Sequence, residues 1–205
     1  MNDKQIIALD VDGILLDLHT PWLARYNRDY NDSLRVEQVT DWSIHKFVKP
    51  ECGKKIYAYL DDDNPFNDIY KVVNPIAGAL QFVKTCRDIG DVIFVTCPTE
   101  KSMGARYHCL KRHGFFNGTD DPQAQYIECK RKELIKADFL VDDCYDNCKS
   151  FGRNSIMFIR PWNAKLAHTN YDISSAVTYA DVITTIENEM VISKSNSYHY
   201  APCRV

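Results

Sequence analysis

The chain has 205 residues, 45% of them hydrophobic, a formal net charge of -3 and an isoelectric point near 6.1. That is enough for one large domain, or a core with a small insertion, around a sizeable hydrophobic interior. The acidic balance excludes the basic field of a polynucleotide binder held by many phosphate contacts, and leaves room for a small anion held locally.

The first element is Ile6-Ile7-Ala8-Leu9, an apolar run of strand length that reads as a strand buried on both faces of a parallel sheet. Asp10 and Asp12 follow at its carboxyl end, and Gly13 lets the chain turn away. Bare buried charges are costly, so this pair is expected to face a cleft with a compensating cation. The next stretch, 15–74, has a different texture, rich in aromatics and charges. His19 to Tyr30 carries Trp22, Leu23, Tyr26 and Tyr30 at helical spacing, and shorter helical pieces are expected after Thr40-Asp41 and over Lys54 to Leu60. An insertion of this size directly after the first strand predicts a small helical cap over the strand ends.

Regular alternation resumes at Pro75, with a helix expected to Ile89 and stopped by Gly90. Val92 to Val95 reads as a second buried strand ending in Thr96-Cys97-Pro98-Thr99, Lys101 to His113 as a helix, and Gln125 to Cys129 as a short strand near the sheet edge. Lys132 precedes a third apolar strand, Phe139-Leu140-Val141, which ends in Asp142-Asp143. Ser155 to Ile159 is another strand, Arg160-Pro161-Trp162-Asn163 a loop, and Tyr179 to Met190 the last helix. The alternation predicts an α/β, doubly wound parallel sheet built from 1–14 and 75–192, with 15–74 as the helical cap and 193–205 as a mobile tail.

Eight cysteines could suggest a disulfide framework, but such frameworks belong to small secreted chains. No charged segment leads into an apolar targeting region, and no apolar run is long enough to cross a bilayer. The expectation is a cytoplasmic protein with reduced thiols and no membrane partner. Cys144 and Cys148 lack a second cluster at zinc-like spacing.

Parallel strands bring Asp10, Asp12, Thr96, Asp142 and Asp143 to one sheet edge, with Lys132 close by. Carboxylates of this kind hold a divalent metal, while Thr and Lys hold an anion. Hard oxygen donors favour Mg²⁺ over zinc. A phosphorylation switch like the bacterial receiver domains also uses strand-end acids, a Thr and a Lys, but takes its acids from separate strands and carries no cap.

In order and spacing, Asp10-Val11-Asp12-Gly13, Thr96, Lys132 and Asp142-Asp143 resemble the four motifs of the haloacid dehalogenase (HAD) superfamily. Within it the chain is similar to the cytosolic 5'(3')-deoxyribonucleotidases: Val95-Thr96-Cys97-Pro98 resembles their Thr-Ser-Pro turn, with Cys97 where Ser is common. Lys132 through Ala137-Asp138 to Asp142-Asp143 follows their spacing, and Asn64-Pro65-Phe66 with Asn74 to Ala79 is similar to the end of their cap. The resemblance implies a Rossmann-like HAD core and an Mg²⁺-dependent phosphomonoesterase. Asp10 would be the nucleophile and Asp12 the general acid and base, with Thr96, Cys97 and Lys132 binding phosphate. Asp10, Asp12 (through its backbone carbonyl), Asp142 and, less directly, Asp143 would hold the metal.

The implied partner is a small nucleoside monophosphate, not a nucleic acid polymer, and the implied assembly a monomer or homodimer. Phe66, Trp42, Phe47 and Trp162 are candidates for a wall against the base. Trp22, Tyr26, Tyr57 and Tyr59 read first as packing residues of the cap. The alternatives are a phosphatase for another small ester or a nucleic-acid end, and an inactive HAD-like binding protein.

Overall fold

Ile6–Asp10 forms β1 at the centre of a six-stranded sheet whose other members are Asp91–Thr96 (β2), Tyr126–Glu128 (β3), Phe139–Asp142 (β4), Ser155–Phe158 (β5) and Ser174–Ala176 (β6). The computed structural model describes residues 4–61, 69–118, 120–123, 125–152, 154–167 and 173–198. The strand order is β3-β2-β1-β4-β5-β6 and every pair is parallel. The chain runs outward from β1 to β3, then crosses back to lay β4, β5 and β6 on the other side. β1 therefore sits where the winding reverses, the place at which such sheets open a crevice beyond their carboxyl ends. Asp10 lies opposite Val95 of β2 and Leu9 opposite Val141 of β4, so Asp10, Thr96 and Asp142 end on one edge.

Between β1 and the rest of the sheet lie α1 (His19–Tyr30), three 3-10 turns (Val36–Gln38, Ile44–Lys46 and Gly53–Asp61) and α2 (Ile69–Val72). The segment expected as a helix over Lys54 to Leu60 is thus 3-10. The first linker of the insertion runs beside the second: Asp17 N–H donates to Asn74 O at 2.9 Å and Ile76 N–H to Leu15 O at 2.9 Å. Trp22, Tyr26, Ile44 and Ile56 of the insertion join the same buried cluster as Ile7 and Leu9 of β1.

The remaining helices are α3 (Ala79–Ile89), α4 (Ala105–Arg112), α5 (Tyr145–Phe151), α6 (Ala164–Ala167) and α7 (Tyr179–Tyr198). Phe82, Val83 and Cys86 of α3 and Val182 and Ile186 of α7 share the main cluster with Ile7, Leu9, Phe94 and Val141, which occupy alternate strand positions. Ala8, Val95 and Leu140 point to the other face and pack with Ile135 and with Phe151 of α5. Both faces are covered, as the unbroken apolar runs require.

Several elements differ from the sequence expectation for local reasons. α3 begins at Ala79 because Pro75 is held in an isolated bridge with Leu16 and Gly78 takes a left-handed conformation. The helix expected over 101–113 is broken at Gly104, with φ of 76°, into a 3-10 turn and α4. α5 and β6 are short and lack strong periodicity. α7 continues to Tyr198 rather than ending at Met190, since extending a packed helix needs no new nucleus. The rest of the expected tail, 199–205, lies outside the described residues.

Candidate active site

Three carboxylates and one ammonium meet at the strand ends. Lys132, only 2% exposed on the 3-10 turn Lys132–Leu134, donates from Nζ to Asp10 Oδ1 at 2.5 Å and to Asp142 Oδ2 at 2.6 Å. Asp142 is held further by the Cys144 N–H at 2.8 Å and by Asn147 Nδ2 at 3.0 Å. Asp143 accepts from Trp162 Nε1 at 3.0 Å, while Asn163 Nδ2 clamps the Asp143 carbonyl at 2.7 Å. Asp10, Asp142 and Asp143 each offer an oxygen within 4.8 Å of the others, and all three are buried.

Crowding of this kind has an electrostatic signature. Burial pushes the Asp10 carboxyl up to about 7; Asp142 and Asp12 add to the rise while Lys132 opposes it. Burial also drives Asp143 well above the usual carboxylate range, helped by Asp10 and Asp142. At Lys132 burial works against the charge, but Asp10 and Asp142 outweigh it and hold the ammonium protonated. Three acids against one Lys leave a formal excess of two negative charges, the charge of one divalent cation. The donors are all hard oxygens, so the trio fits Mg²⁺.

Asp12 leaves the strand on a tight turn. Leu15 and Leu16 N–H groups both return to the Val11 carbonyl at 2.9 Å, and Gly13 sits at φ 77°. A Cβ on Gly13 would lie 2.1 Å from Asp143 Oδ2, so the turn packs against the carboxylates only because that residue has no side chain. Asp12 Oδ2 accepts from Arg106 Nε at 2.5 Å and from the Tyr70 hydroxyl at 3.0 Å, while Oδ1 is buried without a partner among the described residues.

One cavity of about 240 Å³ is lined by Asp10, Asp12, Thr96, Cys97, Lys132, Asp142, Asp143, Trp42 and Trp162, bringing together nine of the residues that the sequence singles out. Phe47 is not among its lining residues. It is half-buried and packs on the main core, while Ile44 of the preceding 3-10 turn, itself a core residue, reaches the cavity lining. Phe66 lies outside the described residues. Trp22 and Tyr57, which read as packing residues, also line the cavity, and the Trp22 indole donates to Ile56 O at 2.9 Å. Trp162 is committed to Asp143 and to a stack with His19 at 3.8 Å between centroids.

The sequence does not single out Arg106, Tyr70 or His19. Arg106 and Tyr70 lie 94 and 58 positions from Asp12, so no local pattern relates them to it. His19 Nδ1 is buried and has no hydrogen-bond partner among the described residues, and burial pushes the imidazole down to about 4, with Asp12 and Asp17 only partly offsetting it. The folded protein thus binds this proton less readily than the unfolded chain, and stability falls as pH drops from 6.5 toward 4. His19→Phe keeps a ring on Trp162 and removes the titration. Relative to wild type it should gain about 1–2 kcal/mol on going from pH 7 to pH 5. Denaturant unfolding of both proteins at the two pH values measures this; parallel losses would contradict it.

No helix among the described residues is long and apolar enough to cross a membrane. The cysteines among them, from Cys52 to Cys148, are all free thiols.

Comparison with known proteins places the chain in a family. The family described as "5' nucleotidase, deoxy (Pyrimidine), cytosolic type C protein" matches residues 4–192. The chain is 30% identical over 156 residues to a 5'(3')-deoxyribonucleotidase of Clostridium acetobutylicum, covering 76% of this chain and 82% of that protein. It is 29% identical over 162 residues to one of Bacillus subtilis, covering 78% and 88%. Among solved structures, a haloacid dehalogenase-like hydrolase from Streptococcus pneumoniae aligns over 91% of this chain and all of its own, with a TM-score of 0.51 and 11% identity. A HAD family hydrolase from Deinococcus radiodurans, solved with phosphate and sodium bound, aligns over 87% of this chain and 93% of its own, with a TM-score of 0.52 and 11% identity. These structures share the fold. With nearly its whole length matched by the family and the motif residues gathered in one cavity, the chain belongs to the cytosolic type C 5'-nucleotidase family of the HAD superfamily.

Proposed function

We propose that this phosphoric monoester hydrolase dephosphorylates deoxyribonucleoside monophosphates in the cytoplasm, with Mg²⁺ and through a phosphorylated Asp10. The observation that carries the reading is the meeting of Asp10, Thr96, Lys132 and Asp142 in one cavity whose acids outnumber their cations. Asp10 attacks phosphorus, and the single difficult hydrolysis becomes two easier displacements. Asp12 gives a proton to the leaving alcohol and later takes one from the attacking water. Thr96 and the Cys97 N–H hold phosphoryl oxygens, and Lys132 offsets the negative charge that Asp10 and the phosphate share.

Asp10, Asp142 and the Asp12 carbonyl would hold Mg²⁺, with Asp143 supporting it. Bound there, the ion supplies positive charge against the phosphate oxygens. Trp42, exposed to 57% and lining the same cavity as Trp22 and Tyr57, is suited to stack on a planar base at about 1–3 kcal/mol. The reading retains 15–74 as a cap, and a monomer or homodimer as the working unit.

The test is phosphate release from a panel of ribo- and deoxyribonucleoside monophosphates and sugar phosphates, with Mg²⁺ and with EDTA. The expected result is metal-dependent turnover of a deoxyribonucleotide subset, abolished by EDTA. Preferential turnover of sugar phosphates would keep the hydrolase and overturn the substrate assignment.

A further inference from the structure

The carboxylate of Asp12 is held on one oxygen only. Oδ2 receives both the Arg106 Nε–H at 2.5 Å and the Tyr70 hydroxyl at 3.0 Å, whereas Oδ1 has no partner among the described residues although it is buried on a residue lining the cavity. The two donors come from different parts of the fold, Tyr70 from α2 of the insertion and Arg106 from α4 beside the sheet.

The guanidinium is itself immobilised. Its Nη1 donates to Ser102 Oγ at 3.1 Å, and Ser102 Oγ is in turn tied to the Thr99 N–H at 3.1 Å and the Thr99 hydroxyl at 2.9 Å. The charged carbon lies 4.6 Å from the centroid of the Tyr70 ring, a cation–π contact, and the Arg106 side chain is 5% exposed. An Arg free to swing in this cavity would pair with the substrate's phosphate; Ser102 and the Tyr70 ring keep this one on Asp12.

We infer that Arg106 and Tyr70 are positioning residues that aim Asp12, occupying Oδ2 so that Oδ1 alone exchanges protons with the reacting oxygens. The inference rests on the acid/base role proposed for Asp12. In the first step an Asp10 oxygen bonds to phosphorus, the bond from phosphorus to the ester oxygen breaks, and the proton on Oδ1 passes to the departing alkoxide. In the second, Oδ1 takes a proton from water as its oxygen bonds to phosphorus and the Asp10 carboxylate departs. Without the two donors the carboxylate is free to rotate, and neither oxygen is held toward the ester oxygen.

The test compares kcat/KM for an alkyl ester, thymidine monophosphate or whichever nucleoside monophosphate is turned over best, with that for p-nitrophenyl phosphate. The second substrate's leaving group departs without a proton. Arg106→Gln should lower kcat/KM for the alkyl ester about 100-fold and for p-nitrophenyl phosphate less than about threefold. Arg106→Lys should recover part of the loss, and Tyr70→Phe should show a smaller loss with the same selectivity. Equal losses on both esters, or a rise in KM alone, would overturn the inference and make Arg106 a phosphate-binding or purely structural residue. Should Arg106→Gln fail to fold, Tyr70→Phe, which removes a single hydroxyl, decides by the same ratio. Asp12→Asn serves as the control: if it does not discriminate between the esters, the acid/base reading itself fails, and that result is distinct from failure of the positioning role alone.

Discussion

Asp10→Asn is expected to lose phosphate monoester hydrolysis by about ten-thousand-fold or more while keeping the fold. The amide is nearly isosteric with the carboxylate and still offers an oxygen to Lys132 Nζ, which stands 2.5 Å from Asp10 Oδ1 in the wild type. What it lacks is the anionic oxygen proposed to attack phosphorus. Packing around the site is otherwise unaltered, because Asp10 closes β1 between Val95 on one side and β4 on the other. The substitution also takes one acid from a crowded trio, so in EDTA the variant should melt at or above the wild-type temperature. Turnover with Mg²⁺ and thermal unfolding in EDTA check the two halves separately. Retained turnover would remove Asp10 from the chemistry, and a large fall in melting temperature would show that its charge is structural.

Lys132→Met should have the largest effect on stability. Lys132 is 2% exposed and pairs with Asp10 and Asp142, which are themselves 10% and 1% exposed at the side chain. Removing the shared cation leaves two buried carboxylates facing each other with Asp143 alongside, and breaking a buried pair in this way costs about 3–5 kcal/mol. That corresponds to a fall of about 10 °C in melting temperature for a chain of this size. Activity should also be lost, since Lys132 is the ammonium proposed to offset the charge of the bound phosphate. Mg²⁺ should raise the melting temperature of the variant more than that of the wild type, because the trio without its Lys carries a still larger excess of negative charge. If the variant melts with the wild type in EDTA, the carboxylates do not depend on Lys132 for charge compensation.

Both experiments bear on residues that are legible in the amino-acid sequence. The apolar run Ile6 to Leu9 has one stable home, a strand covered on both faces, and the acids that follow it must lie beyond the strand's end. The same argument applies to Phe139-Leu140-Val141 before Asp142-Asp143, and to the strand before Thr96. Helical spacing in His19 to Tyr30 is equally plain, and α1 has those bounds. The placement of candidate residues at the ends of buried parallel strands is legible because the strand signal and those residues occupy the same few positions.

The side-chain alliances around these residues are not legible in that way. Whether Trp162 faces a base or binds Asp143 depends on a hydrogen bond across 19 positions, and Phe47 packs on the main core and is not among the cavity's lining residues. Local sequence by itself determined which segments become strands and helices, and that three strands end in Asp10, Thr96 and Asp142, because periodicity and the cost of burying charge act within a few residues. Only the tertiary structure decided that Lys132 serves two acids, that Arg106 and Tyr70 hold one oxygen of Asp12, and that His19 stays neutral under Trp162. Those pairings follow from sheet register and from side-chain bonds between distant segments, which bring together residues that no local pattern relates.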